Sequence, residues 1–515
     1  MEEVGMRKHS LVFEDCNVYT VFPRIQQTDA VAISDGRIAA LGRDARLSPS
    51  SWPRVSLRGS TVLPGLIDAH LHLAGAANRR LRLQLDNSSG LDGILSQVKR
   101  WIGTHSDTSW IIGNGWDESM WERPILPTRD MLDEVTGATP AVLFRRDGHS
   151  AWLNSAAFER VTLDESLPAP FIPRDEYGKF AGIIRETALT VLSPQLPRVT
   201  DDDLTGAIVT LQDEILSYGI TGVHTFETES RQRILHRARK NDQLTLRTYL
   251  SIEHVSLEEL SEASYRENIQ GYKLYLDGSL GSHTAFTVEP DSSHSCGYPV
   301  METEALDRAV ENALALDLDV LVHAIGDGAV RMALDAYERH IPAFPERVVR
   351  IEHAQLIHPD DLNRLNMPNL VISIQPCHLL NDIELAERLW TSQLPWSYAY
   401  ESMRKSGARL VMGTDFPIEP INPWRNIFIA MHRGITRDSP WRPIECLTWE
   451  QILYSYTKMP ALSARWHDVG SLEPGRSATL IAVSEDPREL SSPDQTVHFT
   501  MIDGEIVYSN GFVNF

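Results

Sequence analysis

A chain of 515 residues is too long for one small core, so two domains, one of them large, are the natural prior. With 42% hydrophobic and 23% charged residues it has a globular composition, and a net charge of −22 argues against a nucleic-acid surface. No apolar run approaches bilayer-spanning length, which argues against a membrane protein, and Cys16, Cys296, Cys377 and Cys446 are scattered without a CxxC pair, as suits reduced thiols.

The opening MEEVGMRKHSLVFEDC has no apolar signal core, so a cytoplasmic location is expected. In the first sixty residues VYTVF, DAVAISDGRIAALG and SLRGSTVLPG read as short strands, with a tight Asp35-Gly36 turn. Next comes LPGLIDAHLHL (63–73), an apolar run ending in two histidines. If it is a strand, alternation sends His70 and His72 the same way. Alone, the pair could be a loop cap and a surface residue.

The stretch from His72 to Ile220 is far longer than one βα unit and predicts an insertion within about 74–215. Inside it WIIGNG (110–115) and AVLFRRDG (141–148) compete for the second strand of the main domain. Further strands are read at ITGVHTF (220–226, the third), YKLYLDG (272–278), LDVLVHA (318–324), VVRIEHA (348–354), LVISIQP (370–376) and ARLVMGT (408–414). Helical stretches such as EALDRAVENALAL and PDDLNRLN lie between several of them. Apolar strands alternating with helices predict a parallel sheet, and eight such units close into a (β/α)8 barrel at 62–466 with function at the C-terminal strand ends. From about Gly470 the chain turns β-rich again (SLEPGRSATLIAVSEDP, HFTMIDGEIVY). The two ends, 1–61 and 467–515, predict one small β-sandwich.

The polar residues at the strand ends decide the reading of the histidine pair. His70 and His72 are followed by Lys273 inside YKLYLDG, His323 in LVHA, His353 in RIEHA and Asp415 after VMGT. Imidazoles and a carboxylate converging at one barrel end suit zinc and its neighbours. Lys273 is the odd member. A buried lysine has a lowered pKa, and its neutral amine can take up carbon dioxide as a carbamate that bridges two metals. The alternative is an ordinary ion pair with a barrel carboxylate. A metal lowers the pKa of its water to roughly 7. Asp415 could take that proton and pass it to a leaving nitrogen, with the metal or His149 polarising the carbonyl.

At this point the residues resemble the amidohydrolase superfamily: PGLIDAHLHL, the strand lysine, HAIGDGA, RIEHAQ and GTDFPIEP. More narrowly, the chain resembles the YtcJ-like amidohydrolase family 3, which includes N-substituted formamide deformylases. That match rests on GNGWDESMW, RRDGHSAWLNSAAF, AGIIRETA, YKLYLDGSLGSHTAF, QPCHLLND and YAYESMRKSGARLVMGTDFPIEPINPW. The resemblance implies first-strand ligands at His70 and His72, a fourth-strand lysine at Lys273 that is carboxylated in binuclear relatives, and fifth- and sixth-strand ligands at His323 and His353. It implies Asp415 as eighth-strand ligand and catalytic base. One or two divalent ions, zinc foremost, a small-molecule substrate and pairing into a homodimer follow from the same resemblance. It also implies that the GWD and DGHSAW segments overhang the barrel mouth. Many relatives carry an arginine just before YAY, where this chain has Trp396 and Ser397, which predicts a less charged substrate.

Substrate contacts are expected from Trp116, Asp117 and Trp121, from His149, and from His378 and Asp382 after the seventh strand. His149 could instead cap a helix starting near Ser150. The expected function is hydrolysis of a non-peptide C–N bond in an amide, N-substituted formamide or cyclic amide. The alternatives are a deaminase or an ester or carbonate hydrolase on the same metals. HAIGDGAV lacks the HxxE arrangement of adenosine-type deaminases. A non-catalytic metal-binding regulator would have lost a ligand or Asp415, and none is missing.

Overall fold

The computed structural model describes residues 10–513 except 22–24, 87–89, 106–107, 147–149, 164–170, 186, 198, 254, 264–265 and 435. The chain forms two units, Met1–Gly75 with Val209–Phe515, and Ala76–Ile208.

In the first unit eight parallel strands lie in chain order, each paired with the next: Leu66–Leu71, Ile220–Glu227, Arg247–Ile252, Gly271–Tyr275, Asp319–Ala324, Val349–His353, Leu370–Ile374 and Arg409–Met412. Parallel strands covered on both faces read as near-continuous apolar runs, as LVISI and the VLV of DVLVHA do. The last and first strands close the barrel beyond their ends. Asp415 N donates to His70 O at 2.7 Å and His72 N to Phe416 O at 2.9 Å. The seam of the (β/α)8 barrel is therefore tied by residues of the strand-end cluster.

Two assignments change. ITGVHTF is barrel strand two, not three, and the third place belongs to RTYLSI at 247–252. RTYLSI begins with a charge and interleaves Thr248 and Ser251, so its longest apolar stretch is only Tyr249-Leu250. WIIGNG and AVLFR, expected to compete for strand two, lie in a separate sheet of the second unit.

The chain ends form one eight-stranded sheet, joined where Thr61–Pro64 pairs antiparallel with Leu480–Val483. Phe13 and Phe499 sit on strands three places apart, roughly 14 Å in a flat sheet. Their rings stack at 5.1 Å. The sheet thus curls over a core of Phe13, Val18, Val31, Leu480 and Phe499.

The second unit carries a five-stranded sheet, Ile183–Arg185, Ser150–Leu153, Ala141–Arg145, Ile111–Trp116 and Leu83–Gln84. Ser150 opens a strand rather than the expected helix. The helix begins at Ser155, where the Asn154 side chain accepts from Ala157 N. Among the described residues no helix is long and apolar enough to cross a membrane.

Candidate metal centre

The histidine pair obeys strand geometry: His70 lies in strand one and His72 just past its end. Strand eight can approach it because position 413 is glycine. A Cβ there would lie 2.4 Å from His70 N. Asp68, fully buried, fixes the next turn by accepting from Thr414 N at 3.0 Å, Thr414 Oγ1 at 2.6 Å and His70 N at 3.1 Å. Burial pushes its carboxyl up to about 6. Asp415 (φ 59°) and His353 (φ 73°) both sit in the left-handed region, where a non-glycine residue costs about 1–3 kcal/mol. At strand six this departure has a use. Successive strand residues point to opposite faces, yet Glu352 and His353 both join the same cluster of side chains.

Donor atoms of His70, His72 and Asp415 lie within 4.8 Å of one another, and so do those of His353, His378 and Asp415. Asp415 is the shared member. Its Oδ1 is 3.3 Å from His70 Nε2 and 3.5 Å from His72 Nε2, and its Oδ2 is 3.1 Å from His378 Nε2. His323 stands beside His353 with ring centroids 4.5 Å apart and is in neither donor set. Its Nε2 donates to Gly278 O at 3.0 Å, which leaves Nδ1 as the lone-pair nitrogen. Lys273 lies inside strand four, buried, with Nζ 4.1 Å above the Phe226 ring. Glu352, Asp415 and Glu253 are the carboxylates that act on it.

The protonation states suit a cation. Burial opposes charge on Asp415, but His70, His378 and His72 hold its carboxyl well below the usual range. Burial lowers His353 far below the ordinary imidazole value, and burial with Lys273 pushes His323 down to about 4. Both are neutral donors at pH 7. His72 donates Nδ1–H to Phe226 O at 3.1 Å, which turns its Nε2 toward Asp415. His353 Nδ1 is buried without a hydrogen-bond partner. An orphaned buried nitrogen costs about 1–3 kcal/mol, and a histidine that offers a ring nitrogen within 4.8 Å of Asp415 and His378 fits a divalent metal. Lys273 is lowered by burial, against the pull of Glu352, Asp415 and Glu253.

The remaining expected residues divide. His378 joins the donor cluster through Asp415. Asp382 accepts from the Tyr398 hydroxyl. Trp116 and Trp121 are packed in the core of the second unit, and the Trp116 Nε1–H is spent on Leu143 O at 2.7 Å. Asp117 pairs with Arg145 at 2.6 Å. His149 lies outside the described residues. Asp277, just past strand four, accepts from Phe286 N, Ile325 N and Gly326 N, and burial pushes it up to about 7.

Sequence reasoning missed Arg350, Glu352 and Asp68. The first two stand in the RIEHA motif beside His353, and the inward alternation of a strand through positions 350 and 352 was the available signal. Glu352 Oε2 accepts from His70 Nδ1 at 2.7 Å, and Arg350 lies 3.0 Å from Glu352 Oε1.

A (β/α)8 barrel whose strand ends gather imidazoles around one carboxylate has the architecture of a metal-dependent hydrolase. The amidohydrolase family model matches residues 54–508, and the chain belongs to that family. It is 29% identical to protein LONG AFTER FAR-RED 3 of Arabidopsis thaliana, over 97% of this chain and 91% of that one. It is 26% identical to the N-substituted formamide deformylase of Arthrobacter pascens, over 97% and 98%. The crystal structure of an uncharacterized metal-dependent hydrolase from Pyrococcus horikoshii superposes with a TM-score of 0.76 at 28% identity, covering 94% of this chain and 99% of that one.

Proposed function

We propose that the protein hydrolyses a non-peptide carbon–nitrogen bond, in an amide, N-substituted formamide or cyclic amide, with Asp415 as general base and then general acid. The observation that carries this reading is the position of Asp415, one oxygen toward His70 and His72 and the other toward His378. His70, His72, His353 and Asp415, with His323 alongside, would hold divalent metal, zinc foremost, which when bound makes water acidic enough to attack at neutral pH and polarises a carbonyl oxygen.

The rest falls to the chain. Asp415 is ionised at neutral pH because imidazoles surround it, so it can receive a proton. As the water oxygen bonds to the carbonyl carbon, its proton passes to Asp415. As the C–N bond breaks, the same proton passes to the departing nitrogen, leaving an acid and an amine. His378 steadies the second carboxylate oxygen at 3.1 Å and so sets the direction of the first. Burial lowers Lys273 and so favours its free amine, which with carbon dioxide would form a carbamate able to offer an anionic oxygen pair to metal. Electron density extending past Nζ in a crystal tests that step.

The likeness to a formamide deformylase supports N-substituted formamides as first substrates, and the uncharged Trp396 and Ser397 before YAY support a weakly charged acyl part. The test is a panel of N-substituted formamides, N-acyl amino acids and lactams with zinc, cobalt or manganese. Turnover of at least one class, abolished by chelation and restored by metal, is expected. Activity that survives complete metal removal would overturn the mechanism.

A further inference from the structure

We infer that the buried pair Arg350–Glu352 is a positioning device for the metal centre, holding His70 in the one tautomer and orientation that offers its lone pair to the donor cluster. The inference rests on the metal reading above and concerns two residues outside both donor sets.

The geometry is a chain of committed hydrogen bonds. Glu352 is fully buried, and its carboxylate faces the Arg350 guanidinium at 3.0 Å on one oxygen and His70 Nδ1 at 2.7 Å on the other. An ionised carboxylate only accepts, so its 2.7 Å contact fixes the His70 proton on Nδ1. The other ring nitrogen, Nε2, then carries the lone pair and lies 3.3 Å from Asp415 Oδ1. Arg350 reaches the same strand by a second route: NH2 donates to Ala69 O at 2.8 Å, the carbonyl just before His70. Glu352 thus holds the ring and Arg350 the backbone beneath it. Arg350 NH1 donates to His224 Nδ1 at 2.8 Å, so His224 accepts there and serves as an anchor for the guanidinium.

Stability alone is a poor reason for this pair. Arg350 and Glu352 side chains are 1% and 0% exposed, and a fully buried ion pair is often replaceable by apolar residues without loss. What an apolar pair could not do is hold one imidazole proton. Carboxylates behind metal-binding histidines fix the tautomer and raise ligand basicity, and their removal typically weakens metal binding about 10- to 100-fold. The left-handed backbone at His353 completes the device, because it lets consecutive residues of one strand serve as holder and donor.

The test compares three full-length proteins stripped of metal: wild type, Glu352→Gln, and the double variant Arg350→Met with Glu352→Leu. Zinc affinity is read by competition with a chromophoric chelator, with thermal unfolding recorded alongside. The double variant removes both charges, so it should unfold cooperatively near the wild-type temperature yet bind zinc about 10- to 100-fold more weakly. Glu352→Gln keeps an acceptor for His70 and should fall between. Wild-type zinc affinity in either folded variant would overturn the inference, and Glu352→Gln decides if the double variant does not fold. A wild-type protein that binds no zinc would overturn the metal reading, and the inference with it, by a result that neither variant can produce.

Discussion

The barrel mouth and the curled terminal sheet share one unit of the chain and are built on opposite terms. The terminal sheet buries Phe13, Val31, Leu480, Phe499 and their neighbours, a core of side chains without charge. The barrel buries Asp68, Glu352, Arg350, Lys273, Asp415 and three histidines among its strand ends. Burial without partners is costly for charge, and the mouth offsets that cost with short, committed contacts and with left-handed backbone at His353 and Asp415. The sheet is what packing alone selects, and the mouth is what chemistry requires in spite of packing.

This contrast can be broken most sharply at Asp415. Asp415→Asn keeps shape and removes the base, so kcat should fall about 10²- to 10⁴-fold with an unfolding temperature close to wild type. A variant that keeps full turnover would remove Asp415 from the mechanism. The opposite behaviour is expected of Phe499→Ala in the terminal sheet, where a lost buried ring costs about 3–5 kcal/mol. Denaturant unfolding should show that loss, while kcat per folded molecule stays within a factor of about two of wild type. An equal loss of turnover per folded molecule would mean that the sheet takes part in the chemistry.

A smaller effect sharpens the comparison from the mouth's side. Burial opposes charge on His72 and His378, but contact with Asp415 raises both above the ordinary imidazole value. A nitrogen must be unprotonated to bind metal. Zinc added at pH 7 should therefore expel a proton from His72, and affinity should keep climbing with pH above about 6.5 before it levels off. His323 and His353 are lowered and contribute nothing to that slope near neutrality. Calorimetry in buffers of differing ionisation enthalpy measures the released protons. A heat independent of buffer at pH 7 would contradict the shifts.

The barrel was legible wherever a short apolar run led to a polar strand end, as in VLVHA and LVMGTD, and VVRIEHA was read although Arg350 and Glu352 interrupt it. RTYLSI was not, because Arg247, Thr248 and Ser251 break the run although the fold buries Thr248 and Ser251. The second-unit strands misled because apolar runs do not announce which sheet they join. At the site, the residues at strand ends could be read one at a time. Alternation marked Glu352 and Arg350 as inward but not their roles, and neither they nor Asp68 showed a role, since each acquires it from a partner 126 to 346 residues away. The departure from alternation at His353 is set by backbone geometry, which residue type alone does not disclose. Trp116 and Trp121 mark an open case: a Gly-rich aromatic segment reads equally as a substrate wall or as a plug of the insertion, and those indoles fill a core.

Most directly, zinc-loaded crystals should be measured at the zinc absorption edge. The account predicts an anomalous peak about 2.0–2.2 Å from nitrogens of His70 and His72 and an oxygen of Asp415. No peak there from protein shown to carry stoichiometric zinc, or a peak held only by other side chains, would contradict it.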